Sequence, residues 1–151
     1  MTNPLLQFDG LPAFDVIQPE HIAPAIAALL AADDAALERA VGDEVPADYD
    51  AMSTVLDTAG ENLRYIWSVI GHLNGVADTP ALRAAYTAAL PIVTEHASRH
   101  ASDERLYAKY KAIALAATAP GRQLSAARQQ ALGNAIRDFV RAMRRHRRRC
   151  H

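Results

Sequence analysis

The sequence predicts an all-α protein with about five helices and an extended amino-terminal arm. Alanine, which favours helices most strongly, makes up about a fifth of the 151 residues. Aromatic residues account for only 6% of the chain, and β-branched residues are sparse, which disfavours strands. Apolar residues recur at steps of three and four over long stretches, the period of helices that bury one face.

Length and charge limit the classes of protein that the chain can represent. Its 151 residues are enough for one domain with a true core. The single cysteine, Cys150, excludes an internal disulfide and favours a reducing compartment. The net charge of −1 hides a strong asymmetry, because residues 1–140 carry −7 and the last eleven residues carry +6. The first 140 residues are therefore too acidic to suggest nucleic-acid binding.

Residues 1–18 are predicted to form an extended arm, because prolines and a glycine punctuate a series of apolar anchors. The arm has no positive n-region, which argues against a secretory signal, and no sufficiently long apolar run suggests a membrane span. We therefore expect a cytoplasmic protein that does not insert into membranes. A first helix is predicted from Pro19 to Val41, with an irregular first turn because Pro24 lacks an amide hydrogen.

Four more helices follow. The clearest pattern spans residues 48–74, and a third helix begins at Pro80 with a bend expected at Pro91. A fourth begins near Ser102, and Ser125 can cap a fifth. Residues 19–139 are thus predicted to form one helical domain.

Residues 140–151 form an arginine-rich tail. Like-charge repulsion disfavours a helix there, so we expect disorder, and the composition also fits translation of GC-rich DNA out of frame. Phosphate binding by this tail is a third, less favoured hypothesis, so nucleic acid is not an expected partner.

Two groups of polar residues are candidate sites. His72 and Asn74, near the end of the second helix, could line a peptide channel, although capping of the helix end is the favoured interpretation. His96 and His100 are four residues apart, with Glu104 one turn further along, a spacing that can bind zinc. We favour a solvated polar face there, because a break in the helix is expected at Ser102 and no glutamate follows either histidine. No metal ligand is assigned.

The sequence offers no catalytic arrangement. None of the six histidines is followed by glutamate, so the H-E-x-x-H zinc motif is absent. The five serines lack a nucleophile-elbow context, and no glycine-rich phosphate loop is present. We assign no catalytic residue and no cofactor to this chain.

Several motifs resemble, in order, the amino-terminal segment of the zinc metallo-oligopeptidases, the family of thimet oligopeptidase, neurolysin, dipeptidyl carboxypeptidase and the oligopeptidase A group. The motifs are Asn3–Leu6, Leu11–Asp15, Pro19–Ile26, His72–Tyr86, Leu90-Pro91, Leu106-Tyr107 with Tyr110, and Ala131–Phe139. After Phe139 this sequence departs from the family pattern. Family members are several times longer, and their zinc ligands and general-base glutamate lie in a later part of the chain.

The resemblance implies the start of a helical lobe that forms one wall of a peptide channel. The leading hypothesis is therefore a non-catalytic fragment, truncated or frameshifted after about residue 139. Zinc would belong to full-length relatives, and the partners would be the missing carboxyl-terminal part and short peptides. Exposed apolar faces would promote self-association. The alternative is a stand-alone helical module that binds a protein or peptide.

Overall fold

The computed structural model describes residues 2–149, with only the backbone described at positions 146 and 149, and it confirms the all-α prediction. No strand occurs among these residues. Short 3-10 helices span Pro4–Leu6 and Pro19–His21. Five α-helices follow: α1 (Ile22–Val41), α2 (Tyr49–Ala77), α3 (Pro80–Ala101), α4 (Glu104–Ala116) and α5 (Ala126–Arg149).

The predicted irregular start of the first helix is confirmed. Pro19–His21 form a 3-10 turn, and regular α-helix begins only at Ile22. Inside this turn the His21 imidazole Nδ1 accepts a hydrogen bond from the backbone amide of Gln18 (2.9 Å). The proline at position 19 and the one at position 24 each lack an amide hydrogen, which is why the tighter turn is tolerated here.

Internal contacts divide the chain into two compact units. Unit 1 comprises residues 1–35 and 57–96, and unit 2 comprises residues 36–56 and 97–151. The sequence prediction of one helical domain over 19–139 contains no such division. The boundaries fall inside α1, α2 and α3, where no proline- or glycine-rich linker marks them.

The core of unit 1 joins the arm to the first three helices. Leu5, in the first 3-10 turn, is 1% exposed, and the Asn3 side-chain amide donates a hydrogen bond to the carbonyl of His21 (2.8 Å). Trp67 and Tyr86 stack with ring centroids 5.0 Å apart. The other members of this core are aliphatic and lie on the inner faces of the helices: Ile22, Ala25, Ile26, Leu29, Leu63, Ile66, Val69, Ile70, Leu73, Leu82 and Ala89.

Unit 2 has a separate core. Phe139 on α5 contacts the rings of Tyr107 (5.7 Å between centroids) and Tyr110 (6.1 Å) on α4. The Lys109 ammonium donates to the carbonyls of Gly42 (3.0 Å) and Val45, and so satisfies backbone acceptors just after α1. The buried aliphatic members are Leu37, Ala40, Met52, Leu106, Ile113 and Leu132.

The arginine-rich segment differs from the expected disordered tail. Helix α5 continues through Arg149. Arginine itself is a good helix former, and Leu132, Ile136 and Phe139 anchor the preceding turns in the core of unit 2. Cys150 and His151 lie outside the described residues, so the expectation for the cysteine stays a prediction.

Candidate functional site

The first candidate pair, His72 and Asn74, lies within the last two turns of α2. The helix runs on to Ala77, three residues beyond the predicted end, so both residues lie inside the helix, and a capping role for them stays a prediction. Asp78 follows with a positive φ of 36°, a conformation that aspartate tolerates better than most residues, and its carboxylate pairs with Arg83 (2.7 Å). The helix therefore ends at Ala77, just before Asp78, rather than at residue 74.

The two side chains do not share a face of α2. Residues two apart on a helix point in different directions. His72 is exposed and makes a T-shaped contact with the Phe14 ring, with 5.8 Å between centroids. Asn74 is half-buried, and its Oδ1 is a buried oxygen without a hydrogen-bond partner among the described residues. His72 thus helps to hold the arm, and the structure does not combine it with Asn74 into one site.

The sequence does not predict that His96, in unit 1, is buried. His96 on α3 is 4% exposed. Its Nε2 lies 3.1 Å from Oδ1 of Asp34 and 3.7 Å from Oδ2 of Asp33, both on α1. The expectation of a solvated polar face is therefore wrong at His96. The available signal was the Asp33-Asp34 pair, which is the only charge in the apolar stretch from residue 22 to residue 37.

This arrangement holds an imidazole between two carboxylates of a neighbouring helix. A carboxylate hydrogen-bonded to a histidine fixes the orientation of the ring, and the interaction is strengthened by a low local dielectric. The side chain of Asp33 is 11% exposed and that of Asp34 45% exposed. Because the imidazole is almost completely covered, we interpret the group as a polar link between α1 and α3 rather than a substrate-binding site.

The expected break before Glu104 is confirmed. Helix α3 ends at Ala101, and α4 begins at Glu104 with Asp103 as its N-cap. The carboxylate of Asp103 accepts hydrogen bonds from the backbone amides of Arg105 (2.9 Å) and Leu106 (3.2 Å) and pairs with the Arg105 guanidinium (2.8 Å). The pKa of Asp103 lies below its usual range, and the main cause is the hydrogen bond from the Arg105 side chain. Glu104 therefore belongs to a different helix from His100.

Unit 2 contains a cavity of about 310 Å³. Its apolar lining includes Leu106 and Phe139, and its lining residues with polar groups are His100, Tyr110 and Asp138. The volume lies at the lower end of the range of small-molecule sites, which are mostly apolar with a few polar groups. An apolar side chain of a peptide has the size and chemistry to enter it.

Two serine hydroxyls are engaged within their own helices. Ser68 donates to the carbonyl of Tyr65 (2.7 Å), and Ser102 donates to the carbonyl of Ser98 (2.9 Å). Such bonds are typical of structural serines in helices. The expectation that the chain holds no catalytic residue stays a prediction. Within residues 2–149, no helix is both long enough and apolar enough to cross a bilayer.

Comparison with known proteins identifies related sequences. Residues 25–143 match the family model described as the neurolysin/thimet oligopeptidase N-terminal domain. Oligopeptidase A of Salmonella typhimurium is 38% identical over 142 residues, and that of Escherichia coli is 35% identical over 142 residues. Each match covers 92% of this chain and 20% of the relative. An Arabidopsis thaliana protein named probable cytosolic oligopeptidase A is 33% identical and is covered to 19%. The chain thus spans about a fifth of the length of these curated relatives.

Proposed function

Because the chain belongs to the neurolysin/thimet oligopeptidase N-terminal domain family, we propose that it is a helical, non-catalytic part of a peptide-hydrolysing oligopeptidase. The observation that carries this proposal is the family match over residues 25–143. The chain aligns with only about a fifth of the length of its curated relatives, so it corresponds to one part of such an enzyme. Its role is to supply packed helices against which the remaining part of such an enzyme folds. The cytoplasm is the compartment in which we propose that it acts.

The residues of this chain do not fit the zinc centre of a metallopeptidase. Such a centre uses two histidines separated by three residues, with a glutamate directly after the first. Here Ala97 follows His96, and the His96 Nε2 already lies at hydrogen-bonding distance from Asp34. We therefore propose that zinc and the general base belong to another part of a complete enzyme.

A peptidase assay with purified chain tests the proposal. The chain is incubated with internally quenched fluorescent peptides of five to fifteen residues, with and without added zinc. We expect no cleavage above that of a mock purification from cells lacking the chain. Turnover that exceeds the mock level and disappears with a chelator would show that the chain itself is a metallopeptidase.

A complementation assay tests whether the chain associates with the remaining part of an oligopeptidase, its proposed partner. Escherichia coli oligopeptidase A lacking the region that corresponds to this chain is mixed with the purified chain, and peptide cleavage is measured. We expect the mixture to cleave faster than either component. Ile70→Asp, which places a charge at a fully buried position of unit 1, is the matched control and should abolish the gain. No gain with a folded chain would count against the proposed partner.

A second candidate function is a stand-alone module that binds a protein or a short peptide. The cavity of about 310 Å³ in unit 2 is the observation that favours it. This function requires a stable monomer or a defined dimer with a cooperative thermal transition. Analytical ultracentrifugation and calorimetry test it, and a polydisperse chain without a cooperative transition would eliminate it.

A further inference from the structure

Helix α5 gathers arginines on one face. Arg137, Arg141, Arg144, Arg145 and Arg148 are all exposed, and their spacing keeps them within about a third of the helix circumference. From Arg137 to Arg148 the face is about 16 Å long, at about 1.5 Å per residue. We call these five residues the arginine face.

The opposite side of α5 is already occupied. Leu132, Ile136 and Phe139 belong to the core of unit 2, so the apolar side of the helix is turned into the protein. A basic helix that binds bilayers needs its apolar side free for insertion. The arginine face is therefore left to act through charge and hydrogen bonding alone.

Few carboxylates neutralise this face. Arg141 pairs with Asp138 (3.3 Å), and Arg137 donates to the Asn134 side chain. Among residues 2–149, no carboxylate lies within ion-pair distance of Arg144, Arg145 or Arg148. The face therefore keeps most of its positive charge.

The charge of the chain is also divided between the two units. Unit 2 contains fourteen basic and eight acidic residues, a net charge of +6, whereas unit 1 contains two basic and nine acidic residues, a net charge of −7. The acidity that argues against nucleic acid in the whole sequence is thus confined to unit 1. In addition, the arginine-rich segment is helical in the structure, as the last part of α5, and is not the disordered tail that the sequence predicts.

We propose that the arginine face of α5 binds the phosphate backbone of double-stranded nucleic acid without reading base sequence. Guanidinium groups bind phosphates through paired hydrogen bonds, and a duplex presents one charge about every 1.7 Å along its axis. Residues 140–151 include no Phe, Tyr or Trp, so this stretch of the face offers no such ring on which single-stranded bases could stack. The duplex is favoured over a single strand because its higher charge density releases more counterions for each phosphate that an arginine neutralises.

Fluorescence anisotropy with a labelled DNA duplex of mixed sequence, about 20 base pairs long, tests the proposal over a series of KCl concentrations. If all five arginines contact phosphates, log Kobs should fall with log salt with a slope of about −4.5. The triple variant R141Q/R144Q/R145Q should make the slope shallower by about 3 and weaken binding at low salt. The variant R141K/R144K/R145K keeps the charges and should keep the slope.

A matched control removes the same charge elsewhere. Arg64, Arg83 and Arg122 are exposed and lie outside α5, so R64Q/R83Q/R122Q should leave the salt slope unchanged. Equal losses in the two glutamine variants would overturn the proposal, because the attraction would then not be localised on the face. Failure of the full chain to bind the duplex saturably at 50 mM KCl would also overturn it.

Two other occupants are tested in parallel. Vesicles containing phosphatidylserine, at the same concentration of phosphate, should compete poorly with the duplex for the chain. Stronger binding to the vesicles than to the duplex would assign the arginine face to a membrane surface and overturn the proposal. Sedimentation without DNA should show no salt-sensitive dimer. A dimer that R141Q/R144Q/R145Q abolishes would assign the face to the acidic unit of a second copy instead.

Discussion

His96 on α3 and Asp34 on α1 are 62 residues apart in sequence, yet the imidazole Nε2 and the carboxylate Oδ1 lie 3.1 Å apart. Asp33 adds a second carboxylate oxygen 3.7 Å from the same nitrogen. Polar groups inside a core are costly unless they are hydrogen-bonded, so the positions of the three side chains depend on one another. This group fixes the register of α3 against α1 more narrowly than aliphatic packing would.

Replacement of His96 should therefore destabilise the fold. His96→Ala removes the hydrogen bond to Asp34 and one partner of the largely buried Asp33, and it leaves a space in unit 1. We expect a loss of about 1–3 kcal/mol in the free energy of unfolding, measured by urea denaturation followed by circular dichroism at pH 7. His72→Ala removes an exposed histidine that makes a T-shaped ring contact with Phe14 and should cost less than about 0.5 kcal/mol. Equal effects of the two variants would refute a structural role for the buried group.

The amino-terminal arm offers a matched pair of leucines. Leu5 is 1% exposed, whereas Leu11 is 94% exposed. Leu5→Ala should lower the free energy of unfolding by about 2–5 kcal/mol, because burial is lost and a cavity remains. Leu11→Ala should change it by less than about 0.5 kcal/mol. If calorimetry shows that Leu5→Ala is as stable as the parent, the arm does not contribute to the core of unit 1.

Much of this fold could be predicted from periodicity. The pattern of apolar residues over 48–74 locates α2 to within a few residues, and Ser125 precedes α5 as expected. The apolar pattern stops at residue 74, whereas α2 continues to Ala77 and is followed by the left-handed Asp78. Repulsion between neighbouring arginines predicts disorder after residue 139, whereas the helix continues there in the structure. The preceding turns of α5 are anchored in the core of unit 2, and a helix that has already formed is easily extended.

The polar groups were harder to predict than the helices. The neighbours of His96 in sequence do not indicate that it is buried, and its carboxylate partner Asp34 lies 62 residues away. His72 and Asn74 were grouped because they are close in sequence, although the helix directs them to different faces. Long-range packing, which a single sequence does not encode locally, decides the case of His96. The local geometry of α2 decides the case of His72 and Asn74.

Asp103 should make stability depend on pH in the acid range. Its pKa is lowered in the folded chain, chiefly by the hydrogen bond from Arg105, so the ionised form favours folding. That contribution is present above the unfolded pKa of about 3.9 and is lost as the pH falls through the lower folded value. Asp103→Asn keeps an N-cap oxygen and loses the charge, so its deficit in the free energy of unfolding should shrink as the pH falls from 7 to 3.

Asp103→Ala serves as the comparison for this prediction, because it removes the N-cap oxygen as well. It should remain about 1 kcal/mol less stable than the parent even at pH 3, where the contribution of the charge is reduced. Urea titrations at each pH provide both differences. A deficit for Asp103→Asn that stays constant down to pH 3 would show that the Asp103 charge does not support folding.

The aromatic contacts of unit 2 can be tested separately from those of unit 1. Phe139 is 5% exposed and touches the rings of both Tyr107 and Tyr110. Phe139→Ala should cost about 3–5 kcal/mol, since it removes a large buried ring. Leu115→Ala, at a position 74% exposed on α4, controls for loss of an apolar side chain and should cost less than about 0.5 kcal/mol. Hydrogen exchange should show faster opening of α4 and α5 in Phe139→Ala, and unchanged exchange in these helices would contradict the packing described for unit 2.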